Sequence, residues 1–208
     1  MRRYVSAAIG TLGTLGCMLA LPGTAAAAGQ SIVFNMVRSA AVTTAGCALN
    51  ASAKVTVNSL GPVEVMHVEA SGLPPNAEFD LFVTQVPNAP FGMAWYQGDM
   101  ESNANGKAVG DFIGRFSRET FIVAPAPGGQ PAPVVHHNPP FADAATNPAT
   151  APIHTFHVGL WFGTPDVAVQ ANCPNTQTPF NGDHTAGIQV LSTRNFGATT
   201  GPLRSLAP

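Results

Sequence analysis

The chain has 208 residues, 9 of them basic and 11 acidic, and charged residues make up 10% of it, against about a quarter of an ordinary globular protein. Only Lys54 and Lys107 are lysines, and no basic cluster exists to displace phosphate counterions, which excludes a nucleic-acid partner held by charge. With so few charges, solubility rests on Asn, Thr, Ser, Gln and the polar backbone, as suits an extracellular surface.

Residues 1–28 read as a cleaved secretory signal. Arg2 and Arg3 precede an apolar stretch from Val5 to Leu21, a Pro22-Gly23 break follows, and Ala25-Ala26-Ala27-Ala28 supplies a small-residue site, with cleavage expected after Ala28 or Ala27. A membrane anchor is the competing reading, but glycines and threonines dilute the run below the ~20 apolar residues that a spanning helix needs. Lipidation at Cys17 and twin-arginine export from Arg2-Arg3 are further alternatives, each with a poor match to the rest of its signal. The expected product is secreted, extracellular or held at the cell surface, with no membrane span after cleavage. Losing Arg2 and Arg3 leaves seven basic residues against eleven acidic ones, a net charge of −4.

Residues 29–208 are enough for one domain burying roughly 70% of its unfolded surface. Cys47 and Cys173 are then the only cysteines, and an even number in an exported chain reads as a disulfide, the alternative being two buried free thiols.

Taken in order, the chain predicts strands. Ile32, Phe34 and Met36 alternate with Val33, Asn35 and Val37, and Val55 and Val57 alternate with Lys54, Thr56 and Asn58. Val63 to Ala70, Glu78 to Gln85, Met93 to Gln97, Ala108 to Phe116 and Thr120 to Val123 follow, separated by Gly, Pro and Asn-rich turns. From 124 to 152 the alternation stops, with eight prolines in 29 residues, and this Pro-rich stretch reads as a long surface loop. His154 to Phe162 and Gly187 to Ser192 supply two more strands, and Asp166 to Ala171 one short helical turn. No stretch keeps a 3.6-residue stripe long enough for a long helix, so the fold class is all-β, a sandwich or a barrel.

The segments "SGLPPNAEFDLFVTQ" (Ser71 to Gln85) and "GDMESNANGKAVGDF" (Gly98 to Phe112) carry a resemblance. The chain resembles bacterial secreted immunoglobulin-like β-sandwich domains, in which a Gly-Leu-Pro-Pro turn leads into a strand and an Asn-Gly turn pairs two later strands. The resemblance implies an immunoglobulin-like sandwich with the Pro-rich loop as an excursion, and it implies no catalytic residues. Its motifs are turn chemistry, Asn105-Gly106 offering the positive φ angles of a tight hairpin.

Two sets of side chains are candidates for chemistry. His157 and Trp161 share a strand face with Gly159 between them, an arrangement that leaves a shallow platform for a sugar ring or another flat group. Trp95 and Tyr96, with Phe91 just before them, form a second aromatic candidate. The other set is His136, His137, His154, His157 and His184 with Asp183, which have the chemistry to hold zinc or copper. The strongest zinc spacings are absent, however, and His154 and His157 fall on opposite faces of a strand. Glu78 with Asp80, and Asp99 with Glu101, are carboxylate pairs suited to acid and base roles or calcium, or simply to a solvated strand face. No nucleophile elbow, phosphate loop or dinucleotide fingerprint occurs. The sequence therefore points to an exported, non-catalytic protein without a cofactor, acting on an extracellular or cell-surface ligand that the sequence does not identify. The alternative is a small metal-dependent enzyme or metal-binding protein.

Overall fold

The computed structural model describes residues 29–116, 154–178 and 186–206. The leader, the strand expected over Thr120 to Val123, the Pro-rich stretch 124–152, and His136, His137, Asp183 and His184 lie outside the described residues.

Among the described residues eight strands form: β1 (Ser31–Arg38), β2 (Ser52–Ser59), β3 (Glu64–Ser71), β4 (Glu78–Thr84), β5 (Ala94–Glu101), β6 (Ala108–Gly114), β7 (His157–Phe162) and β8 (Gln189–Ser192). All pair antiparallel in the order β5-β4-β7-β8-β1-β2-β3-β6. β1 joins the two halves of this sheet, because Ser31 to Met36 pair with β2 while Val37 and Arg38 pair with β8. The end strands β5 and β6 come together with side chains interlocked. A Cβ on Gly98 of β5 would stand 2.9 Å from the Phe112 ring of β6, and one on Gly110 of β6 would stand 3.1 Å from Met100. The sheet is thus a nearly closed barrel. The all-β expectation holds, and where a sandwich of two sheets was expected, the chain curls one sheet almost onto itself, so that its two end strands cover each other through side chains.

The barrel is filled by the inward residues that the alternation marks: Phe34 and Met36, Val55 and Val57, Met66 and Val68, Phe79 and Leu81, and Val158, Leu160 and Phe162. Phe79 and Phe162 pack at 5.2 Å between ring centroids. At one corner the Glu64 carboxylate accepts the Phe116 N–H at 2.6 Å and lies 3.6 Å from the Arg115 guanidinium, which ties the start of β3 to the end of β6.

Two short helices were not legible as stripes. In α1 (Ala40–Ala45), Ser39 caps the N-terminus by accepting from Val42 N–H, and Gly46 ends the helix at φ 70°. Arg38 donates to the carbonyls of Val42 and Cys47, both at 2.9 Å. α2 (Pro165–Gln170) is capped by Thr164 with Pro165 in its first turn, close to the helical turn expected over Asp166 to Ala171. Cys47, one residue past the α1 cap, and Cys173, just after α2, form the expected disulfide with Cα atoms 5.5 Å apart. It closes a loop of 126 residues, worth about 4–5 kcal/mol in the chain-entropy account.

Candidate functional site

The two halves of the barrel differ in what covers their outer face. In β2 the outward residues are exposed or partly so, whereas β7 and β8 are buried along their whole length and β4 after its first residue. Since Phe79, Leu81 and Val83 point inward, the outward Asp80, Phe82 and Thr84 need a second layer. The segment from Gln85 to Met93 supplies part of it by folding back on itself. Gln85 N–H donates to Met93 O at 2.9 Å, and Met93 N–H donates to the Gln85 side-chain oxygen at 2.9 Å. The Ser192 hydroxyl of β8 donates to Pro87 O at 2.9 Å and fixes the segment, which holds a cis Ala89-Pro90 bond, to the sheet.

Beneath it lies a small second core of Phe82, Trp161 and Ala186, flanked by Phe91, Ala94 and Tyr96. Four rings run in a row across the outer face. Tyr96 to Phe82 is 5.6 Å between centroids, Phe82 to Trp161 is 5.3 Å, and Trp161 to Phe91 is 5.1 Å, all near edge-on.

A half-open cleft of about 380 Å³ lies at the Phe91 end. Phe91 and Ile188 give it apolar wall, Ala40 and Ala41 bring the start of α1 close, and Asn88, Gln177, Thr178 and Gln189 supply amide and hydroxyl groups. Thr178 is fixed by donating its hydroxyl to Gly187 O at 2.7 Å and its N–H to Ala186 O at 2.8 Å. Gln189 is 5% exposed, and its side-chain Nε2 is buried without a hydrogen-bond partner. No lining residue is titratable among those described.

At the Tyr96 end are four carboxylates. The β4–β5 register sets Asp80 opposite Asp99 and Glu78 opposite Glu101, so the two pairs read along the sequence face each other across the ribbon. Asp80 is 3% exposed although its partners on the ribbon are exposed. Burial, then a hydrogen bond to Asp99, then the charges of Asp99 and Glu78 push its carboxyl up from 3.8 to about 7. The Tyr96 hydroxyl donates to Asp99 Oδ1 at 2.5 Å. Burial and that bond to the carboxylate hold the phenol proton on, raising its pKa.

Trp161 and His157 do share the outward face, but both are 0% exposed, so the open platform expected there is instead a covered layer. Trp161 folds back over Gly159, and the His157 ring is engaged at both nitrogens, 2.9 Å from Thr193 Oγ1 and 2.9 Å from Ala198 O. Because a carbonyl only accepts, Nε2 carries a hydrogen toward Ala198 O, while Nδ1 lies against Thr193. Burial, opposed in part by its backbone acceptors, lowers the imidazole from 6.5 to about 4. Both ring nitrogens are thus engaged inside the fold. His154 is buried and stacks on Phe156 at 5.5 Å. Among the described residues no group of three or more His, Cys, Asp or Glu converges to hold a metal ion. Trp95 is 47% exposed, and Tyr96 is half-buried against Phe82. Sequence reasoning did not find Asn88, Gln177 or Gln189, which carry no motif and meet only through the fold.

Comparison with protein-family models, with curated proteins and with solved structures finds no match to the chain.

Proposed function

We propose that the chain is an exported, non-catalytic binding protein that takes an uncharged ligand into the cleft beside Phe91, at or outside the cell surface. The carrying observation is the make-up of that cleft: an aromatic and aliphatic wall rimmed by amide and hydroxyl groups, with no ionisable side chain among its described lining. A few polar groups on an apolar wall orient a small molecule, whereas bond making needs an acid, a base or a nucleophile within reach. The fitting ligand is flat and apolar on one face and edged with hydroxyl or amide groups, as a sugar ring is. Export rests on residues 1–28 and agrees with the Cys47–Cys173 bridge, since such bonds persist in oxidising compartments. The likeness of Ser71 to Phe112 to secreted immunoglobulin-like domains is a likeness of turns; it agrees with export and adds nothing about the ligand.

The test is an NMR screen of neutral, hydroxyl- and amide-bearing fragments against the labelled protein. Binding in the cleft shifts the resonances of Phe91, Ile188 and Gln189 together, and Phe91→Ala removes the shifts. An absence of hits there, or hits confined to the Trp95 edge, overturns the reading.

A further inference from the structure

Asp80 and Asp99 hold a position that the binding reading does not use. β5 ends the sheet order and, among the described residues, is hydrogen-bonded to β4 alone, while its other side meets β6 through side-chain packing. The β4–β5 register is broken between Leu81 and Phe82, one residue pair beyond Asp80–Asp99, so the ladder is interrupted close to the acids. Asp80 faces Asp99 across the ribbon and shares a side-chain hydrogen bond with it, and its Oδ2 is buried.

The geometry points to a proton-operated latch: neutral Asp80 donates its hydrogen to the Asp99 carboxylate and holds β5 on β4, and loss of that proton to solvent sets two like charges across the ribbon and loosens β5 from the barrel seam. The groups around Asp80 leave the new charge uncompensated. Glu78 lies on its own strand, Asp99, Glu101 and Tyr96 lie on β5, and on β7 Trp161 stands opposite Asp80 with the neutral His157 farther along, opposite Thr84. Among the described residues, no lysine or arginine is one of the groups acting on Asp80. Two carboxylates facing each other across a strand pair cannot both ionise without repulsion, and the buried one loses most by charging. Tyr96 reinforces the closed form, because its hydroxyl holds Asp99 while its ring packs on Phe82. When β5 loosens, Tyr96 leaves Phe82 and the ring row is broken at that end. The Asp80 carboxyl, raised to about 7, places the change near neutral pH.

The experiment compares amide-exchange protection, corrected for intrinsic rates, at about pH 5.5 and about pH 8.5. In the wild-type protein the β5 amides lose about tenfold or more of their protection at the higher pH, while the β3 amides hold theirs within a few-fold. Asp80→Asn and Asp99→Asn each remove the like-charge pair, so β5 protection becomes the same at both pH values; either variant carries the test if the other fails to fold. Wild-type β5 protection that does not change with pH, or an equal loss in the folded variants, overturns the latch.

Discussion

Gly159 on β7 lies directly under the Trp161 ring: a Cβ at 159 would stand 2.3 Å from Cζ3 of that indole and 2.7 Å from the Gln189 side-chain nitrogen. The glycine that gives the sequence the look of an open platform is what lets the tryptophan fold flat onto its own strand. Gly159→Ala therefore displaces Trp161 and costs about 1–3 kcal/mol, as overpacking of a filled site does. Urea denaturation of the variant measures it, and an unchanged midpoint would show that the ring does not lie there.

The two tryptophans differ in exposure, Trp161 at 0% and Trp95 at 47%. In a Trp95→Phe protein the remaining emission is blue-shifted and little quenched by acrylamide; in a Trp161→Phe protein it is red-shifted and readily quenched. Equal quenching in both would contradict the covered layer over β4, β7 and β8.

Cys47→Ser with Cys173→Ser releases the 126-residue loop and lowers stability by about 2–5 kcal/mol. Reductant alone shifts the wild-type denaturation midpoint in the same direction. Insensitivity of the midpoint to both treatments would remove the bridge from the account.

His157 and Asp80 give stability opposite pH slopes. The His157 imidazole is lowered from 6.5 to about 4 in the folded protein, so in that window the unfolded chain binds the extra proton and stability falls as pH drops. The Asp80 carboxyl is raised from 3.8 to about 7, so the folded protein keeps a proton that the unfolded chain releases, and stability falls as pH rises through that range. Over about pH 4 to 6.5 the two slopes oppose, and wild-type midpoints are predicted to change little there on their account. Asp80→Asn leaves a stability that rises with pH, and His157→Gln leaves one that falls. Parallel profiles for all three proteins would show that neither group titrates as placed.

Much of this fold is written in two-residue alternation. The inward sets Phe34/Met36, Val55/Val57 and Val158/Leu160/Phe162 are those that the sequence marks, because each strand needs one apolar face whatever its neighbours. α1 escaped notice because six residues are too few to show a stripe, though its Ser39 and Gly46 caps stand in the sequence. The turn at Asn105-Gly106 is also present, but only Gly106 takes a positive φ, 68°, and the side chain of Asn103 completes it by accepting the N–H groups of Asn105 and Lys107. What alternation cannot show is which outward residues are covered and which meet across strands. Asp80 and Asp99 are distant in sequence and become partners only through the β4–β5 register. Phe91, Gln177 and Gln189 come from three separate segments and share a cleft only once the Gln85 to Met93 segment folds back.

The Phe91 cleft is proposed to receive an uncharged, flat-faced ligand. The most direct test is a crystal structure of the protein soaked with the tightest neutral fragment from the NMR screen. Fragment density is expected against Phe91 and Ile188, with its polar edge toward Asn88, Gln177 or Gln189. Density at the Trp95 and Tyr96 edge with the cleft empty would contradict it.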